Sequence, residues 1–145
     1  MTEVNATRRE VLAGMCILAA ATLTACSTPT PEESAAGIRT RDDGKVEVTI
    51  AELSGLAADG NSVLIGAVGS VGAAALVRVT ADSYKAFNLA CTHEGEQVST
   101  NTIPWTCPAH GAQFDPLTGD VLRPPAFNPL EELSVSYANG VAVVG

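Results

Sequence analysis

Bases and long apolar runs are in short supply in this chain, and each shortage removes a class of function. Eight lysines and arginines stand against sixteen aspartates and glutamates in 145 residues, a formal net charge of −8. Nucleic acid requires a basic footprint, which this chain lacks. The longest apolar run, Val11 to Ala25, is fifteen residues, short of the roughly 20 that a membrane-spanning helix needs. Glycines at 66, 69 and 72 are followed by no P-loop lysine, so the spacing makes no nucleotide loop. Beyond Ala25 no stretch repeats apolar residues with the period of a long amphipathic helix.

What the chain does hold is concentrated in one stretch. Cys91 to Gly111 reads CTHEGEQVSTNTIPWTCPAHG and contains two of the four cysteines and both histidines. They fall as Cys-x-His, thirteen intervening residues, then Cys-x-x-His. Thiolate is a soft donor suited to iron-sulfur clusters and zinc, and neutral imidazole suits iron, zinc and copper. Pro108, Gly95 and Gly111 supply the bends that aim closely spaced donors at one centre. Two such loops meeting tip to tip offer two sulfurs and two nitrogens. A structural zinc site takes the same donors, and an exported protein permits a Cys91–Cys107 disulfide.

The pattern resembles the Rieske family, whose [2Fe-2S] cluster has cysteines on one iron and histidines on the other. The likeness continues through Phe114-Asp115-Pro116, Thr118-Gly119 and Pro124-Pro125-Ala126, and spans roughly residues 46 to 145. It implies that Cys91 and Cys107 hold the buried iron and that His93 and His110 hold the iron nearer the surface. The respiratory branch adds a cysteine to each loop, and the pair forms a disulfide; here those positions are Glu96 and Ala109. That branch also places a serine and a tyrosine whose hydroxyls donate toward the cluster sulfurs. The matching residues are Ala112 and Phe114, which cannot donate. Each such donor is worth on the order of 1 kcal/mol. At about 59 mV per 1.4 kcal/mol, losing both lowers the potential by roughly 50 to 100 mV. The negative charges of Glu94 and Glu96 act in the same direction, screened by solvent. The expected potential lies low in the Rieske range, which spans roughly −150 to +300 mV.

The first segment reads as an export signal. Thr7-Arg8-Arg9-Glu10-Val11-Leu12 resembles the twin-arginine motif, the apolar run has signal-peptide proportions, and Leu23-Thr24-Ala25-Cys26 resembles a bacterial lipobox. Cleavage before Cys26 leaves that residue to carry lipid, and two acyl chains suffice for stable anchoring. Residues 1–25 are thus read as signal peptide. Cys16 leaves with it, Cys26 is lipidated and Cys91 and Cys107 bind metal, so no cysteine remains for a disulfide. Twin-arginine export carries folded proteins, which suits a domain whose cluster is assembled in the cytoplasm. Residues 26–44, rich in Pro, Ser, Thr and charge, read as a flexible tether.

Ordered structure is expected over 45–145, with the cluster-binding part at about 87–127. Val46, Val48 and Ile50 alternate with polar residues, as in a half-buried strand. Further strands are expected near Val63 to Val68, Ala74 to Val79, Tyr84 to Ala90 and Ile103 to Thr106. Leu133, Val135 and Tyr137 alternate before Asn139-Gly140, a hairpin dipeptide, and Val141 to Val144 returns. Short strands between turn clusters make the expected fold all-β, an antiparallel sandwich or barrel carrying a small subdomain of two ligand loops. No internal repeat is apparent.

The implied activity is one-electron transfer by a membrane-tethered iron-sulfur protein exported across the bacterial cytoplasmic membrane. Its partner is a redox protein or larger oxidoreductase subunit with a basic docking face, since residues 26–145 retain fourteen acidic and six basic side chains. A complete Rieske oxygenase needs two further histidines and a carboxylate for a mononuclear iron, and both histidines are committed. The alternative is a lipoprotein binding module with a structural zinc.

Overall fold

The computed structural model describes residues 36–145, so the expected signal peptide, the lipidated Cys26 and most of the tether lie outside the described residues. The described residues form eleven short strands in three antiparallel sheets. β1 (Ile38–Thr40), β2 (Val46–Thr49), β10 (Val135–Ala138) and β11 (Val141–Val144) form the first, in the order β1-β2-β11-β10. β3 (Ser62–Val68), β4 (Val71–Thr80), β5 (Ser83–Asn88) and β9 (Glu132–Leu133) form the second, in sequence order. β6 (Trp105–Thr106), β7 (Gln113–Phe114) and β8 (Val121–Arg123) form a small third sheet.

The second sheet lies between two cores. Along β4, Ala74 and Leu76 face the first sheet's Val46, Val48, Ala142 and Val144, whereas Ala75 and Val77 face the side that holds both cysteines. On β5, Ala86 joins the first core and Phe87 the second. A sheet buried on both faces needs apolar residues in succession, which is why Ala74-Ala75-Leu76-Val77 runs without a polar partner. The hairpin expected at Asn139-Gly140 is present, with φ of 51° and 81°. Positive φ at both central residues matches the twist of the strands it joins.

Several local expectations are corrected. Order begins before Lys45: Ile38, Arg39 and Thr40 pair with Val48, Glu47 and Val46, so these three residues do not belong to the tether expected over 26–44. Composition marks that segment as polar, but a three-residue strand is held by its ladder to β2 rather than by its own propensity. Ile50 does not continue β2; it opens a single 3₁₀ turn, Ile50–Glu52. The alternation over Leu133 to Tyr137 is two strands in different sheets. Leu133 pairs with Ala86, while Val135 pairs with Val144. A chain that passes from one packed sheet to the next keeps its inward-outward period, so the pattern conceals the change.

Candidate metal centre

The two ligand loops are turns of one design. The Cys91 amide donates to the Glu96 carbonyl at 2.8 Å, and the Gly95 amide donates back to the Cys91 carbonyl at 2.7 Å. In the second loop the Cys107 amide donates to the Ala112 carbonyl at 2.8 Å and the Gly111 amide to the Cys107 carbonyl at 3.0 Å. Gly95 and Gly111 have φ of 80° and 74°, where a side chain is disfavoured, so glycine lets the loop close on itself.

A third turn repeats the geometry without cysteine or histidine. Asp115 donates its amide to the Asp120 carbonyl at 2.9 Å, Gly119 donates to the Asp115 carbonyl at 2.8 Å, and Gly119 has φ 75°. The sequence carries the sign of it: Cys107-Pro108-Ala109-His110-Gly111 and Asp115-Pro116-Leu117-Thr118-Gly119 share their proline and glycine positions. The two turns share a geometry rather than a sequence repeat. The similarity escapes composition-based reading because only two residues in five are shared.

The turns sort the four predicted donors into two layers. Cys91 and Cys107 are 3% and 2% exposed, packed with Trp105, Ala112, Phe114 and Ala126. Burial pushes the Cys91 thiol up from its ordinary value, opposed by the His93 and Glu94 amides that donate toward its sulfur. Both cysteines are free. His93 and His110 lie outside them, with 30% and 47% of their side chains exposed. The rings stand 5.0 Å apart and nearly perpendicular, at 89°.

Glu94 stands between the imidazoles, its carboxylate 3.9 Å from His93 Nε2 and 3.6 Å from His110 Nδ1. Ligand atoms of His93, Glu94 and His110 lie within 4.8 Å of one another, and among the described residues neither cysteine sulfur belongs to that group. One zinc would draw all four donors into one tetrahedron. A buried sulfur pair beneath an exposed nitrogen pair fits two irons, sulfur-ligated within and nitrogen-ligated without.

A third segment closes the site. Ala126 is buried among the cysteines, and the Thr92 hydroxyl donates to the Asn128 carbonyl at 2.6 Å. The proline-rich stretch at 124–129 is thereby tied to the first loop. Trp105 is fully buried beneath the second loop and meets Phe87 edge to face at 6.1 Å. Ala112 and Phe114 are fully buried beside Cys107, so the positions that carry hydroxyls elsewhere present only carbon.

A family model described as the Rieske [2Fe-2S] domain matches residues 47–134. The chain is similar in structure to the cyanobacterial plasma membrane Rieske protein PetC3 from Synechocystis PCC 6803. The two share 26% identity and a TM-score of 0.50, over 58% of this chain and 85% of that one. It is also similar to a chain of the complex of reduced oxygenase and oxidized ferredoxin in carbazole 1,9a-dioxygenase, at 23% identity and TM-score 0.53, over 71% and 94%. The quaternary ammonium Rieske monooxygenase CntA matches at 20% and TM-score 0.50, over 63% of this chain but 30% of its own. Among curated proteins none matches in sequence. The chain belongs to the Rieske [2Fe-2S] family, whose domain binds a [2Fe-2S] cluster.

Proposed function

We propose that this protein is an exported, lipid-anchored one-electron carrier in which Cys91 and Cys107 hold the inner iron and His93 and His110 the outer. The observation that carries the reading is the layering of donors: two buried thiols under two exposed imidazoles. When bound, the cluster supplies a one-electron couple near the surface. The chain's own residues fix its place and tune it. Burial pushes the Cys91 thiol up from its ordinary pKa, and the His93 and Glu94 amides act against that rise, toward the thiolate that a metal requires. Trp105, Phe114 and Ala126 keep water from the sulfurs, and the exposed imidazole edges give the electron its shortest way out.

Export and anchoring are supported by Arg8-Arg9, the apolar run and Leu23-Thr24-Ala25-Cys26. The domain is exported across the bacterial cytoplasmic membrane and lipid-anchored facing the periplasm or the cell exterior, where it passes electrons to a redox protein or larger oxidoreductase subunit. Iron, acid-labile sulfide and electron paramagnetic resonance on the purified protein test the centre. The expected result is about two irons and two sulfides per chain, with a Rieske-type signal appearing on reduction. One zinc without sulfide overturns the reading. Anchoring is tested by Cys26→Ala, which is expected to move the protein from the membrane fraction to the soluble one.

A further inference from the structure

Two of the chain's three phenylalanines, Phe87 and Phe114, are fully buried, whereas Phe127 is 86% exposed. Its backbone is not free. Ala126 before it is packed among the ligand cysteines, and the Asn128 carbonyl after it accepts from Thr92, which lies between Cys91 and His93. Two residues further on, Leu130 is buried and its amide donates to Gly119 at 2.9 Å. Pro124 and Pro129 are exposed on either side. An aromatic side chain is thus held out into solvent by a segment fixed at one end among the cysteines of the metal loops and at the other to the third turn. Rigid presentation removes the ordering cost that a mobile side chain meets on binding, and buried aromatics dominate interface energetics.

The stretch of chain that carries the site is acidic. Between Leu89 and Glu131 the chain carries Glu94, Glu96, Asp115, Asp120 and Glu131 against one base, Arg123. A second copy of this chain would bring like charge to like charge, and an anionic lipid surface would repel the face in the same way. A basic protein surface complements it.

We propose that Phe127 is the anchor through which the histidine face docks on a redox protein whose cofactor lies in an apolar recess ringed by lysine or arginine. This rests on the electron-transfer reading above. The aromatic ring fills the recess while Glu94 and Glu96 meet its basic rim, so the imidazole edges face the partner's cofactor. One electron then passes from the reduced centre to the oxidised partner.

The test uses the full chain, reduced, mixed in a stopped-flow instrument with oxidised mitochondrial cytochrome c as a probe with a lysine-ringed haem edge. The second-order rate is read at low and high salt for wild type, Phe127→Ser, the double variant Glu94→Gln/Glu96→Gln, and Leu64→Ser as a control on exposed β3. Phe127→Ser is expected to be slower by about tenfold at both salts, with potential and resonance spectrum unchanged. Once corrected for the higher midpoint potential that loss of the two charges brings, the glutamine variant is expected to be slower only at low salt, and Leu64→Ser to match wild type. A Phe127→Ser rate equal to wild type overturns the proposal, as does equal slowing by Leu64→Ser. A Phe127-dependent dimer in sedimentation with unaltered rates assigns the residue to self-association and also overturns it. If wild type holds no sulfide and gives no signal on reduction, the electron-transfer reading fails first, separately from Phe127.

Discussion

Asp115 and Cys91 fill the same position in two turns of one design. Asp115 Oδ1 receives the amides of Leu117 at 2.7 Å and Thr118 at 3.1 Å; in the first loop the corresponding amides, those of His93 and Glu94, act to lower the pKa of the Cys91 thiol. In both turns the donors are the second and third residues along. The backbone therefore presents paired N–H groups to whatever occupies the first position, and an anion suits it. Asp115→Ala leaves both donors to solvent and is expected to cost on the order of 1–2 kcal/mol. Urea unfolding of the variant against wild type measures it, and equal midpoints would remove the equivalence.

Ala112 and Phe114 are buried beside Cys107, where hydroxyls would meet sulfur. Ala112→Ser and Phe114→Tyr are each expected to raise the midpoint potential by roughly 25–50 mV, at about 1 kcal/mol per donor and 59 mV per 1.4 kcal/mol. A redox titration of each single variant and of the double decides it. A fall on adding either hydroxyl contradicts the account.

Tyr84 makes alkaline stability a test of the joint between sheets. Its ring lies 4.7 Å from that of Tyr137 across the first core. Burial raises its pKa above the ordinary tyrosine value, with the neighbouring Tyr137 adding to the effect. The unfolded chain loses the phenol proton near pH 10 while the folded chain still holds it. Above that pH the unfolded state binds fewer protons, so stability falls as pH rises. Below it the contribution is fully present. The melting temperature of wild type relative to Tyr84→Phe is expected to be level up to about pH 9.5 and to decline beyond it. A difference that stays level through pH 11 counts against the assignment.

Gly119 has φ 75°, and a Cβ there would stand 2.8 Å from Phe87 Cε1 and 3.3 Å from the Leu130 carbonyl. Gly119→Ala combines a left-handed backbone with an overlap in a closed core, at about 2–3 kcal/mol. Gly95→Ala meets no atom within 4 Å and keeps only the conformational part, about 1–2 kcal/mol. Denaturant midpoints of the two variants, compared directly, separate packing from backbone strain.

The class of fold and the candidate donors were legible in local patterns of the chain. Cysteine and histidine in two short spacings state metal chemistry locally, because residues two or three apart in a glycine-closed turn converge whatever surrounds them. Alternating strands and Asn139-Gly140 likewise declare themselves within a few residues. Only the folded arrangement shows that the Glu94 carboxylate lies within 4 Å of both imidazoles, that β1 forms, and that Leu133 and Val135 belong to different sheets; the layering of cysteines beneath histidines agrees with what the family resemblance implied. Tertiary structure also decided that Phe127 is held outward while Phe87 and Phe114 are buried. These properties depend on which distant segments meet, through the ladder between β1 and β2 or the Thr92–Asn128 bond. Local pattern records the period of a strand and the closure of a turn; burial and neighbourhood are set by contacts between residues far apart in the chain.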